Sequence, residues 1–481
     1  MAARAAAAVA ANFACLPDDL LAHIFGALSL RKRSLATYKH QAIPLVCRRW
    51  RRVVLSPHLL RRITFESIGK AAPAGLSKLD WARSFCSWLV THAAGHVQDL
   101  DLRIGTAFNA QSAEAAFFPE VVAALAACGA AGRLQRLRLS LQHLFDLHLP
   151  AALAAALSSL RSLSIDVQEG ILTLDAPLTA MSRLEDFRVD VTPALDAGMS
   201  LDVAPTASLP PSLTSLHLGG TGWGQEESNA LPPQIGQLTR LRQLSLEVLA
   251  LSPEGFAPLA RLGGCLERLR LNWCSWLPPP STLAALSRLT MLSVDTVGEQ
   301  REAFDEFEGS IEAVLRALPQ LRHLRLSYAS SGCHETIPRF PPALSGLCGL
   351  TSLWWDIDTT EDATLPDPSG PWLRSLHRLA LPSSLIVSNE AGLLASTPLL
   401  ESLHVLLTPG MPWHDRSLRA AVQHPALACV RVSGHASFEA MPSARVAVQA
   451  AGRQHPGMAF TLEEVALFDC GALFDDEACR G

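Results

Sequence analysis

The sequence predicts an α/β solenoid: a curved parallel sheet inside, helices and loops outside, with a small helical module in front of it. Three observations predict this: a leucine frame that recurs through most of the chain, helix-forming segments between the frames, and an apolar, base-rich start unlike anything after it. At 481 residues, 49% of them apolar, the chain has ample material to bury a long core.

The frame reads L-x-x-L-x-L. It starts at Val97, Leu134, Leu160, Leu184, Leu213, Leu241, Leu266, Leu289, Leu321, Leu350, Leu376, Leu400 and Leu427, so the mean period is between about 27 and 28 residues. The fourth and sixth residues alternate with polar ones, which places leucines on one side of a short strand and Arg, Ser, Asp or His on the other. A single strand cannot bury its own apolar side. Stacked copies can, because neighbouring strands pair and their leucines merge into one core. Between frames, stretches such as EAAFFPEVVAALAAC and SIEAVLRALPQL carry apolar residues at helical spacing.

This pattern resembles the leucine-rich repeat family over residues 97–433, and LPPQIGQLTRLRQLSL is close to its plant-type form. The Asn or Cys that the family carries three residues beyond the frame is mostly replaced, by Gln142, Gln168, Thr192, Thr221 and Val297, and only Cys274 matches. That residue satisfies buried backbone groups at the inner turn, so irregular loops are expected.

At the other end of the chain, Pro17 suits a helix start and Asp18 and Asp19 its positive end. Leu20, Leu21, Ile24, Phe25 and Leu28 follow as an apolar stripe, and Val46, Cys47 and Trp50 continue the spacing after a basic insert. Ten Lys or Arg residues and no acid lie between Arg31 and Arg62, although the chain as a whole has a net charge of −5. This local surplus suits an acidic partner rather than a nucleic-acid coat. So short a module, with few apolar contacts of its own, needs a partner surface.

LPDDLLAHIFGAL followed by PLVCRRWRRVV resembles an F-box whose connecting loop, at RKRSLATYKHQ, is longer than usual by an insertion of about seven residues. The resemblance implies a substrate-recognition subunit of an SCF-type E3 ubiquitin ligase, itself non-catalytic, whose partners are a Skp-family adaptor and a cullin. It implies adaptor contacts at Leu16, Pro17, Leu20, Leu21, Ile24, Phe25, Leu28, Val46 and Trp50. Packing of the same residues on the first repeat, as an N-terminal cap, is the structural alternative, and a nuclear localisation signal is the alternative for RKR. The expected organisation is a disordered leader over 1–15, the F-box over 16–60, a linker with a hinge helix over 61–96, repeats over 97–433, and a cap or acidic tail over 434–481.

On the concave face, built from frame positions three, five and seven, the richest block is Arg268, Arg270, Asn272 and Trp273, then His323, Arg325 and Tyr328, then Trp354 and Asp356. Arginine and aromatic side chains are the usual interface anchors, so this block is the candidate substrate surface, suited to an acidic or phosphorylated protein segment. Solubility alone also calls for polar residues there. A repeat scaffold acting without ubiquitin and a receptor gated by a small anion or hormone share the architecture.

Catalytic and metal signals are weak. His92 and His96 lack a third ligand, GGTGWG lacks the lysine of a phosphate loop, and Ser67 with Lys70 stands without its partner motifs. The acids Asp356, Asp358, Glu361 and Asp362 lack the alternation of a calcium loop. No catalytic residue, metal or cofactor is expected. Eleven scattered cysteines without a CxxC pair point to a reducing compartment, cytoplasmic or nuclear, and no stretch has the length and hydropathy of a membrane span.

Overall fold

The computed structural model describes residues 17–21, 48, 52–53, 55–68, 77–105, 111–142, 146–148, 151–168, 171–174, 178–192, 201–203, 208–220, 230–247, 251–274, 276–298, 310–330, 341–357, 370–383, 390–407, 415–434 and 440–464. The chain divides into two compact units, residues 1–241 with 248–250, and residues 242–247 with 251–481.

In the first unit, six parallel strands lie in the order β1 (Arg62–Glu66), β2 (Asp99–Ile104), β3 (Arg136–Gln142), β5 (Ser162–Gln168), β7 (Asp186–Thr192) and β9 (Ser215–Gly219). Three short strands, β4 (Asp146–His148), β6 (Ile171–Leu174) and β8 (Leu201–Val203), form a second parallel sheet. The second unit holds nine parallel strands in chain order: β10 (Gln243–Glu247), β11 (Arg268–Asn272), β12 (Met291–Gly298), β13 (His323–Ser330), β14 (Ser352–Ile357), β15 (Arg378–Pro382), β16 (Ser402–Leu406), β17 (Cys429–Gly434) and β18 (Ala459–Glu464). Each of the thirteen leucine frames opens a strand two residues after its first position. Two further strands, β1 and β18, extend the pattern upstream and downstream of the frames.

Leucines at the fourth and sixth positions make the core. In β11, Leu269 and Leu271 are 0% and 1% exposed, and in β16, Leu403 and Val405 are both 0% exposed. Connecting segments cover that side as α-helices, such as Ala440–Gln454, or as short 3-10 turns, such as Pro342–Gly346 and Pro371–Ser375. At the N-terminal end the helix Lys78–Trp88 closes the core: Phe65 of β1 stacks on Phe85 at 4.3 Å and meets Trp81 edge-on at 5.2 Å. Ser77 caps this helix, its hydroxyl accepting from the Asp80 backbone N–H.

A repeated hydrogen-bond device fixes each register. The backbone N–H groups of Glu267 and Arg268 both donate to the Arg242 carbonyl, and the same fork recurs where Thr351 and Ser352 donate to Arg322. Hydroxyls reinforce it. Ser159, Ser212 and Ser375, each just before a frame, donate to the frame-opening carbonyls of Leu134, Leu184 and Leu350, while Thr214, Thr290 and Thr351 donate to Glu185, Glu267 and Arg322. This ladder lies at the opening of each strand, at the other end from the family's Asn position. Cys274, the matching residue, is buried and its thiol donates to the Leu246 carbonyl at 3.7 Å.

Candidate functional site

In the N-terminal module, the described residues include Pro17 and Leu20, both exposed, and Leu21 and Val53, both buried. Leu20 is 44% exposed and Leu21 is 0% exposed, so of the apolar pair one faces outward and the other belongs to the chain's own interior. The Arg52 guanidinium donates to Asp18 at 3.0 Å, tying the PLVCRRWRRVV segment to the start of the first helix. Leu16, Ile24, Phe25, Leu28, Val46 and Trp50 lie outside the described residues. On the proposed hinge helix, Trp81 and Phe85 are buried against β1. The Ser67 hydroxyl is bonded to the Gly105 backbone, as a strand-end clasp.

The second unit carries the predicted substrate block. Strand register lines up three rows across its polar face. The first row runs Arg268, Met291, His323, Ser352, Arg378, Ser402, and the second runs Arg270, Ser293, Arg325, Trp354, Ala380, His404, Arg431. Neither contains an acid. The third row holds Asn272, Asp295, Ser327 and Asp356. A basic band and an acidic edge therefore lie side by side. The positive field is visible at His323, whose pKa is lowered by burial and then by Arg378, Arg268 and Arg322 around it. Arg378 obeys the same positional rule as the other anchors but stands outside the predicted block.

Depth separates the block into two groups. Arg268, Arg270, Asn272, His323 and Asp356 are half-buried, and Trp273 is 40% exposed. Arg325 and Trp354 are 2% and 5% exposed, so they lie beneath the face rather than on it. Tyr328 falls on β13, with its side chain outside the description. The Arg325 guanidinium sits over the Trp354 ring at 4.8 Å and 3.9 Å from the Asp295 carboxylate. Burial raises the pKa of Asp295 despite opposition from Arg325 and hydrogen bonds from Ser327 and Trp273. Trp354, Arg325, Asp295 and Trp273 thus form a line of contacts across β14, β13, β12 and the end of β11.

Trp273 is where that line reaches the surface. Its φ of 54° is the one positive value at a non-glycine residue among those described, a conformation costing about 1–2 kcal/mol. Its N–H donates to the Asp295 carbonyl, and Trp276 beside it is 48% exposed. Sequence reasoning missed Trp276, which lies beyond the frame in a loop.

The first unit's face is internally neutralised. Arg103 pairs with Asp101 at 3.1 Å, Arg188 with Asp190 at 2.6 Å, and His217 with Asp190 at 2.5 Å. Burial pushes the Asp190 pKa up, but His217 and Arg188 outweigh it and hold the carboxyl below its usual range.

Residues 13–66 match the family model described as F-box-like. The chain carries an F-box-like domain. The repeats behind that domain form a leucine-rich-repeat fold, parallel strands joined by helices and turns. Among solved structures, the chain is similar to a plant peptide hormone receptor, RGFR1 in complex with RGF2, at 14% identity and a TM-score of 0.35, over 79% of this chain and 52% of that one. The F-box-like chain thus spans about half the length of that receptor. No curated protein matches it. Among the described residues, no helix is long and apolar enough to cross a membrane. An F-box-like domain joined to such repeats is a protein-interaction architecture.

Proposed function

We propose that this chain is the substrate-recognition subunit of an SCF-type E3 ubiquitin ligase, working in the cytoplasm or nucleus. The F-box-like module binds a Skp-family adaptor and, through it, a cullin. The polar face of the second unit holds a protein substrate. The chain performs no chemistry itself; it brings the substrate near the charged conjugating enzyme, where proximity raises the rate. The observation that carries this reading is the F-box-like match over residues 13–66, which runs into β1, the first strand of the repeat sheet.

The basic band around His323 supports an acidic or phosphorylated segment as the part of the substrate that is held, since arginines bind carboxylates and phosphates by charge-assisted hydrogen bonds. Arg268, Arg270, His323 and Arg378 supply the charge. Trp273 and Trp276 supply exposed aromatic area, with Arg325, Asp295 and Trp354 as positioning residues behind Trp273. Co-purification with the adaptor and cullin tests the assembly. The variant Ile24→Asp with Trp50→Ala is expected to lose that association, because each apolar anchor withdrawn from a groove costs roughly 1.5–3 kcal/mol. Retention of adaptor and cullin by the double variant would sink the docking assignment.

A further inference from the structure

The two ends of the repeat core are finished differently. At β1 the core positions Ile63 and Phe65 are 1% and 0% exposed, sealed by Trp81 and Phe85. At β18 the equivalent positions, Phe460 and Leu462, are only half-buried, although their neighbours Val430 and Val432 in β17 are 0% exposed. Among the described residues β18 pairs with β17 alone. Between β18 and the helix Ala440–Gln454 lies a groove of about 650 Å³, lined by Val448, Gln449, Met458, Phe460 and Leu462, with Arg445 at its side. A repeat array needs its last core face covered.

Residues 465–481 follow β18 directly and lie outside the described residues. They read VALFDCGALFDDEACRG, an Ala-Leu-Phe-Asp segment twice over, at 466–469 and 472–475, followed by further acids. We propose that this segment docks back on the groove, with Leu467, Phe468, Leu473 and Phe474 covering Phe460 and Leu462 and the acids turned towards Arg445. Reach is sufficient: at about 3.3 Å per residue the segment is longer than the six-residue strand it must retrace. Tethering gives it an effective concentration in the millimolar range, an advantage that a second copy or a separate protein lacks. The inference is independent of the ligase reading.

Photocrosslinking in the full chain tests it. With p-benzoylphenylalanine in place of Gln449, irradiation of a mixture of light and heavy isotope-labelled chains is expected to join position 449 to residues 465–481 of the same chain. Light-to-heavy adducts would assign the groove to a second copy, and adducts confined to another protein, or none to the segment, would equally overturn the proposal. A full-length variant with Leu467→Asp, Phe468→Asp, Leu473→Asp and Phe474→Asp leaves every described residue unchanged. It is expected to lose at least five-fold of the same-chain adduct and to bind a synthetic peptide of residues 465–481 that the unaltered chain does not bind. An undiminished adduct in that variant would reject the apolar contact.

Discussion

His404 lies 7% exposed on the polar face of β16, edge-on to Trp354 at 4.8 Å and bonded to the Ser433 hydroxyl at 2.7 Å. Burial, then Arg431 and Arg325, bring its pKa down from 6.5 to about 3. The unfolded chain therefore takes up a proton near pH 6.5 that the folded chain refuses until near pH 3. Its contribution to stability is complete above pH 6.5 and is lost as pH falls towards 3, at about 1.4 kcal/mol per pH unit. Urea unfolding at pH 7, 6 and 5 is expected to show this loss, with His404→Gln giving a visibly flatter dependence. The same logic governs Arg325. Its guanidinium was legible in the sequence as a surface anchor because it occupies an alternating polar position. What alternation cannot reveal is that the Trp354 and His404 rings fill the face around it. Arg325→Met is expected to cost about 3 kcal/mol in chemical denaturation, since it strands the mostly buried Asp295 carboxylate without its cation.

Among the elements, the thirteen frames were legible because leucine at the fourth and sixth positions leaves a period-two signature that a short parallel strand must obey. Strands β1 and β18 escaped that reading for a chemical reason: Ile63 with Phe65, and Phe460 with Leu462, serve the same core positions with less uniform side chains. The hydroxyl ladder escaped it as well, because Ser and Thr are common everywhere and only the register aligns Ser159, Ser212 and Ser375 over carbonyls. Removing one rung, as in Ser375→Ala, is expected to cost about 1 kcal/mol. The connecting layer has its own tight point. A Cβ on Gly263 would stand 2.1 Å from the Ala285 carbonyl oxygen, so backbone segments of adjacent repeats touch there. Gly263→Ala is expected to destabilise by about 1–3 kcal/mol, read as a lowered thermal midpoint.

At the scale of the whole molecule, the proposed division of labour predicts that adaptor binding and substrate capture fail separately. The variant that tests this must reverse charge without disturbing packing. Arg325→Glu does not qualify, because it would place a carboxylate in a site 2% exposed and beside Asp295. Arg268→Glu with Arg270→Glu does, since both side chains are half-buried on the first strand of the basic band and neither supports the leucine core. Two reversals change the local charge by four where His323 already registers a positive field. The double variant is expected to reduce capture of ubiquitination substrates at least ten-fold in affinity purification, with adaptor and cullin recovered in unchanged yield. Trp273→Ala, which removes the aromatic anchor but no charge, is expected to weaken capture without changing its dependence on salt. Equal substrate recovery from parent and double variant would move the substrate surface away from the second unit's basic band while leaving the adaptor assignment standing.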